Sequence, residues 1–146
     1  MKKVLITGAD SYIGTSFVHW ALARYADELS IDTVDMREAN WCEKSFAAYD
    51  CVFHVAGIAH VETGHLSEEL KTLYYTVNRD LAVETARKAK REGVKQFIFM
   101  SSIIIYGDSA PLGRKKIISQ DTLPSPNNVY ADSKWQADRK RSMFHG

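Results

Sequence analysis

Cysteine is scarce in this chain. Only Cys42 and Cys51 occur in 146 residues, which excludes a disulfide framework and a cysteine-based metal site. Cys51 falls in an apolar run and reads as a small buried hydrophobe. No apolar stretch approaches the roughly 18 residues of a membrane span, and the N-terminus lacks a signal-peptide pattern. The expectation is a soluble, cytoplasmic protein with no membrane partner. An excess of one charge is also missing. Lys and Arg number 19 against 18 Asp and Glu, for a net +1, so nothing draws the whole chain to nucleic acid. The basic cluster from Lys134 to Arg141 reads as a solvated helix face. Three histidines, His54, His60 and His65, have no carboxylate or cysteine at ligand spacing, so no metal site is expected. His54 reads instead as a hydrogen-bonded core residue. Repeats and low-complexity segments are absent, and the length suits one domain with a real core.

The informative stretch is residues 4–14, Val-Leu-Ile-Thr-Gly-Ala-Asp-Ser-Tyr-Ile-Gly. Val4, Leu5 and Ile6 form an apolar run without polar alternation, as in a strand buried on both faces. Thr7 and Gly8 break it. From Ile13 onward, Phe17, Val18, Ala21, Leu22 and Tyr25 recur at helical spacing. Strand, glycine turn and helix in that order aim free backbone N–H groups and a helix N-terminus at one point, where a diphosphate fits. Gly8 allows the turn, and Gly14 allows close approach. A dinucleotide loop usually carries three glycines, and here Ser11 stands at the middle position. Taken alone, the turn is a weak signal.

Residues 31–36 read as a second strand ending near Asp35. An acid at that tip can accept hydrogen bonds from the ribose hydroxyls of an adenosine and repel a 2′-phosphate, which favours NAD. Arg37 beside it could instead welcome that phosphate. Residues 40–49 read as a loop or short helix. Residues 51–56 form a third apolar strand closed by Gly57. Residues 66–91 read as one long helix with Leu70, Leu73, Val77, Leu81 and Val83 or Ala86 on its buried stripe. Residues 96–101 are a fourth strand, 107–128 a long loop of the kind often tied to function, and 128–143 a last helix. Strands alternating with helices predict an α/β fold with a parallel sheet.

Tyr130 and Lys134 stand four apart, on one face of that last helix. An ammonium near a phenol favours the phenolate, and such a tyrosine can take a proton from a sugar or alcohol hydroxyl while hydride leaves for a nicotinamide. Ser101 and Ser102, at the end of the fourth strand, sit where such a sheet places its chemistry.

Together these segments resemble the extended short-chain dehydrogenase/reductase family, the NAD-dependent sugar-nucleotide epimerases and dehydratases typified by the UDP-glucose 4-epimerases. The resemblance is carried by Thr7-Gly8 through Tyr12-Ile13-Gly14, by residues 50–57, and by Asn78. It continues through Phe97 to Ser102 with Tyr106-Gly107, and ends with Tyr130 and Lys134. It implies a Rossmann-like fold in which Gly8, Tyr12, Ile13 and Gly14, with Ser11 between them, contact the pyrophosphate of NAD. It places Asp35, with Met36 and Arg37, at the adenosine ribose, and Ala56 and Gly57 along the cleft. Asn78 and Ser101 count among the cofactor-contacting positions. It makes Ser102 the catalytic hydroxyl, Tyr130 the base, and Lys134 the ligand of the nicotinamide ribose.

Members of that family continue past the tyrosine helix into further strands and a smaller domain for the nucleotide-sugar substrate. The expectation is therefore an incomplete Rossmann sheet of about four strands, residues 1–146 forming a single NAD-binding domain without its substrate domain. Two other readings stay open: a non-enzymatic nucleotide-binding or interaction module, and an NADP-dependent reductase of the same superfamily. The edge left by residues 96–101, together with Leu66, Tyr74, Tyr75 and Trp135 on the two last helices, predicts a homodimer or larger homo-oligomer. The same aromatics would equally serve the core.

Overall fold

The computed structural model describes residues 1–8, 10–59 and 66–142, with side chains to residue 140. His60 and His65 lie outside these. Among the described residues, four strands form one parallel sheet: β1 (Lys2–Thr7), β2 (Leu29–Val34), β3 (Cys51–His54) and β4 (Gln96–Phe99). Their spatial order is β2-β1-β3-β4. Helix α1 (Tyr12–Tyr25) joins the first two strands. A short 3₁₀ turn (Ala39–Glu43) follows β2. After β3 come α2 (Glu68–Tyr74), a π-helical turn (Tyr75–Asp80) and α3 (Leu81–Arg91) without a break. A second 3₁₀ turn (Ile103–Tyr106) and α4 (Val129–Ser142) follow β4.

Both faces of the central strands β1 and β3 are covered, which explains their unbroken apolar runs. On one side Val4, Ile6, Phe53 and Val55 pack with Phe17 and Val18 of α1. On the other, Leu5, Val34 and Val52 meet Ala89 of α3. Trp41 and Phe46 complete that second cluster. The stretch read as a loop or short helix thus supplies two of the larger core side chains.

The long helix follows its expected stripe only in part. Leu73 is exposed, Leu70, Val77 and Leu81 are half-buried, the expected Val83 and Ala86 are buried, and the other buried positions are Tyr74, Asn78, Ala82, Thr85, Lys88 and Ala89. The π-helical turn accounts for this, because the wider turn changes which side chains face inward. Tyr74 packs against Tyr130, ring centroids 6.3 Å apart. Tyr75 donates its hydroxyl to Asp132 Oδ2 at 2.6 Å. Neither forms the outward aromatic face that self-association through this helix would use. Cys51 is half-buried rather than fully enclosed.

Strand order reverses between β1 and β3, since the chain leaves β1 for β2 on one side and reaches β3 on the other. The carboxyl ends of these two strands border a crevice, the place where open α/β sheets bind ligands. Residues Thr7 and His54 are paired there. No described helix is long and apolar enough to cross a membrane, and no group of three metal-ligating side chains occurs among the described residues.

Candidate active site

Gly8 opens the turn after β1 with a φ of +86°, in the region that glycine adopts without steric cost. A Cβ there would lie 2.9 Å from the backbone nitrogen of Ala56, so the glycine also lets two strand ends touch. Ser11 replaces the missing glycine by a specific role. It is the N-cap of α1, and its hydroxyl accepts the Gly14 N–H at 3.0 Å. A Cβ on Gly14 would meet Gly8 O and Ser11 Oγ, each at 2.9 Å. The turn is therefore tight without a third glycine. Tyr12 and Ile13 stay exposed in the first helical turn.

Asp35 follows β2 directly. Arg37 donates to both of its carboxylate oxygens. These side-chain bonds, with one from the Arg37 backbone, hold the Asp35 carboxyl down at about 2. Met36 is half-buried beside the α3-side cluster. The two residues that sequence sets in competition are in direct contact.

Across the crevice, Val55 to Gly57 leave β3. Asn78, fully buried, reaches them from the π-helical turn. Its Oδ1 accepts the Ile58 N–H at 2.9 Å, and its Nδ2 donates to Ile58 O at 3.0 Å and Ser133 Oγ at 3.1 Å. Ser133 in turn donates to the Tyr130 carbonyl at 2.8 Å. One side-chain amide thus ties the loop after β3 to the helix carrying Tyr130. Sequence shows an asparagine in a helix; only the wider turn reveals that it faces inward.

Helix α4 is started by Asn128, whose Oδ1 accepts the Ala131 N–H at 2.8 Å. Tyr130 stands half-buried in its first turn. Lys134, one turn later, is 5% exposed. Its ammonium donates to the Met100 carbonyl at 3.2 Å and lies 5.0 Å from the Phe99 ring centroid. Gly57 makes room for it, since a Cβ there would sit 2.9 Å from Nζ. Burial pushes the Lys134 ammonium down from 10.5 to about 8. Ser102 begins the second 3₁₀ turn, its hydroxyl accepting the Ile104 N–H at 3.4 Å. The Ser101 hydroxyl is buried and has no partner among the described residues.

His54 lies in the core beneath this site. Its Nδ1 is 2.8 Å from the Thr7 hydroxyl. Burial, with the nearby Lys134 charge, pushes its pKa down to about 3, so the ring is neutral near pH 7. The long 107–128 loop is pinned by Lys116, which donates to the carbonyls of Tyr106 at 2.6 Å and Asp108 at 3.0 Å. A cavity of about 450 Å³ opens there, lined in part by Ile103, Ile104, Asp108, Lys116 and Ile118.

Residues 4–140 match the model of the NAD dependent epimerase/dehydratase family. The chain belongs to that family. It is 29% identical to a UDP-glucose 4-epimerase of Vibrio cholerae, over 95% of this chain and 46% of that protein. Two solved structures share the fold: a UDP-glucuronic acid 4-epimerase of Bacillus cereus, in complex with UDP-glucuronic acid and NAD, and a dTDP-glucose 4,6-dehydratase of Streptomyces venezuelae, with NAD and TYD bound. The TM-score is 0.79 for each, at 22% and 23% identity. Each alignment covers 98% of this chain, with 52% of the epimerase and 51% of the dehydratase. The chain spans about half the length of the relatives it matches.

Proposed function

We propose that residues 1–146 form the NAD-binding domain of a sugar-nucleotide epimerase or dehydratase, with Tyr130 as the base. The observation that carries this reading is the position of Lys134. A buried ammonium is anchored to the end of β4, against Gly57, one helical turn from Tyr130. A cation that costs this much to bury has a reason to be there beyond packing.

The chain's own residues fit a dinucleotide. At Gly8, Gly14 and Gly57 a Cβ would press on neighbouring protein atoms at 2.9 Å, so these glycines keep the backbone at the strand ends close together, and Ser101, just after β4, has a buried hydroxyl with no partner among the described residues. Gly8 to Gly14 would face the pyrophosphate with backbone N–H groups, Ser11 having taken the one from Gly14. Asp35 would accept from the adenosine ribose, with Met36 and Arg37 beside it. Ala56 and Gly57, steadied by Asn78, would wall the cleft. Lys134 would donate to the nicotinamide ribose. Bound NAD supplies the hydride acceptor. Tyr130 would take the proton from the sugar hydroxyl at its phenolic oxygen, and Ser102 would hydrogen-bond the same sugar oxygen.

A polypeptide of these 146 residues, about half the length of the relatives it matches, is expected to turn over UDP-sugars very weakly by itself, because contacts to the remote parts of a substrate supply much of the positioning energy. The test is slow reduced-nicotinamide fluorescence after mixing chain, NAD⁺ and UDP-glucose. Tyr130→Phe should reduce its rate by about 10²-fold or more. An equal rate in the variant would contradict the role of Tyr130.

Self-association through the sheet edge is the accompanying proposal. Strand β4 ends the sheet among the described residues, with Ile98 exposed on it, and unpaired edges seek partners. Sedimentation at micromolar concentration should show a dimer or larger. A monomer of 16.5 kDa would contradict this.

A further inference from the structure

Three charged side chains meet at the adenosine end of the crevice. Arg37 Nε donates to Asp35 Oδ1 at 2.9 Å and to Oδ2 at 3.0 Å, and Arg37 Nη2 donates to Oδ2 at 2.5 Å. The same Nη2 donates to Asp10 Oδ2 at 2.7 Å. Asp10 belongs to the glycine turn, 27 residues earlier. One guanidinium therefore bridges the pyrophosphate turn and the tip of β2, held between two carboxylates. The local balance is one positive charge against two negative.

The side chains of Arg37 and Asp10 are 75% and 76% exposed, so their pairing adds little to stability. Its consequence lies in what can bind. Asp35 alone would favour ribose hydroxyls and repel a 2′-phosphate. A free Arg37 would receive that phosphate through its planar fork. We propose that Asp10 is a cofactor-specificity residue, holding Arg37 away from a 2′-phosphate and keeping the adenosine end net negative. It also gives Arg37 a second seat when the Asp35 oxygens turn to the ribose hydroxyls. Asp10 thereby settles the competition between Asp35 and Arg37 in favour of NAD. This rests on the reading that the crevice holds a nicotinamide dinucleotide.

The experiment is calorimetric titration of NAD⁺ and NADP⁺ into the purified chain at one fixed, low salt concentration. Wild type should prefer NAD⁺. In Asp10→Asn the affinity for NADP⁺ relative to NAD⁺ should rise about tenfold. The ratio is the useful quantity, because both cofactors share the pyrophosphate that Asp10 also faces. In an Arg37→Ala background the same substitution should move the ratio less, since no guanidinium is released. An unchanged ratio in Asp10→Asn, with wild type binding NAD⁺, overturns the proposal and leaves the cofactor reading standing. A wild type that already prefers NADP⁺ overturns it as well. A wild type that binds neither nucleotide overturns the cofactor reading, and the proposal with it.

Discussion

Lys134→Met is expected to make the protein more stable and weaker at holding NAD. The two effects have one cause. In the native state the Lys134 ammonium is nearly out of water, with the Met100 carbonyl as a neutral hydrogen-bond acceptor. Burial is the dominant influence, and it displaces the group from 10.5 to about 8. A displacement of that size corresponds to roughly 3 kcal/mol against the charged form. Methionine fills a similar volume without a charge, so a gain of about 1–3 kcal/mol in unfolding free energy is expected near pH 7. The pH dependence has a definite sign. Below about pH 8 the lysine is protonated in both folded and unfolded chains, and its burial cost is fully present. Between about 8 and 10.5 the native state has lost the proton and the unfolded state still binds it, so wild-type stability rises with pH. Denaturant unfolding of both proteins across that window should show the variant's advantage shrinking as pH rises. NAD affinity should fall about 10-fold or more, the worth of a charge-assisted hydrogen bond to a ribose. A variant that is less stable at pH 7, or that binds NAD as well as wild type, would contradict the account.

Gly8→Ala should fail in both respects. An alanine at φ +86° costs about 1–2 kcal/mol from conformation alone. Its Cβ would also press on the backbone of Ala56, at 2.9 Å from N and 3.0 Å from Cα. Backbone cannot rotate away as a side chain can, so β1 and β3 would have to part at the crevice. Overpacking of this kind adds about 1–3 kcal/mol. The expected result is a loss of roughly 2–5 kcal/mol in stability and no measurable NAD binding. Thermal unfolding and a nucleotide titration on the same preparation test both halves. A stable Gly8→Ala that retains full affinity would show that the turn is not the phosphate site.

The central strands β1 and β3 are legible because they are buried on both faces and so read as continuous apolar runs. Residues 4–6 and 51–54 needed no other clue. The first helix was legible from its spacing, and the last from Tyr130, Lys134 and the asparagines before it. His54 as a paired core residue followed from its place inside an apolar strand. The stripe of the long helix holds at Leu81, Val83 and Ala86 and fails at Leu73, because periodicity assumes 3.6 residues per turn and the segment Tyr75–Asp80 departs from it. The same departure hides the inward face of Asn78 from a reading by period, while Tyr74 takes the core position that was one of its two expected places. Trp41 and Phe46 were hidden for another reason: a core contribution from an irregular segment leaves no period to detect. The Asp10–Arg37 contact joins two loops distant in sequence, and spacing carries no sign of it. The expected role of Ser11 also needed the structure, since a serine at a helix start can cap, contact a phosphate, or both.

The central claim is that the crevice between β1 and β3 holds a nicotinamide dinucleotide. The direct measurement is an isothermal titration of NAD⁺ into the purified chain at pH 7, with Gly8→Ala beside it. The account predicts saturable binding of one NAD⁺ per chain, lost in the variant. No saturable heat from the folded wild-type chain, or equal binding by wild type and variant, would contradict it.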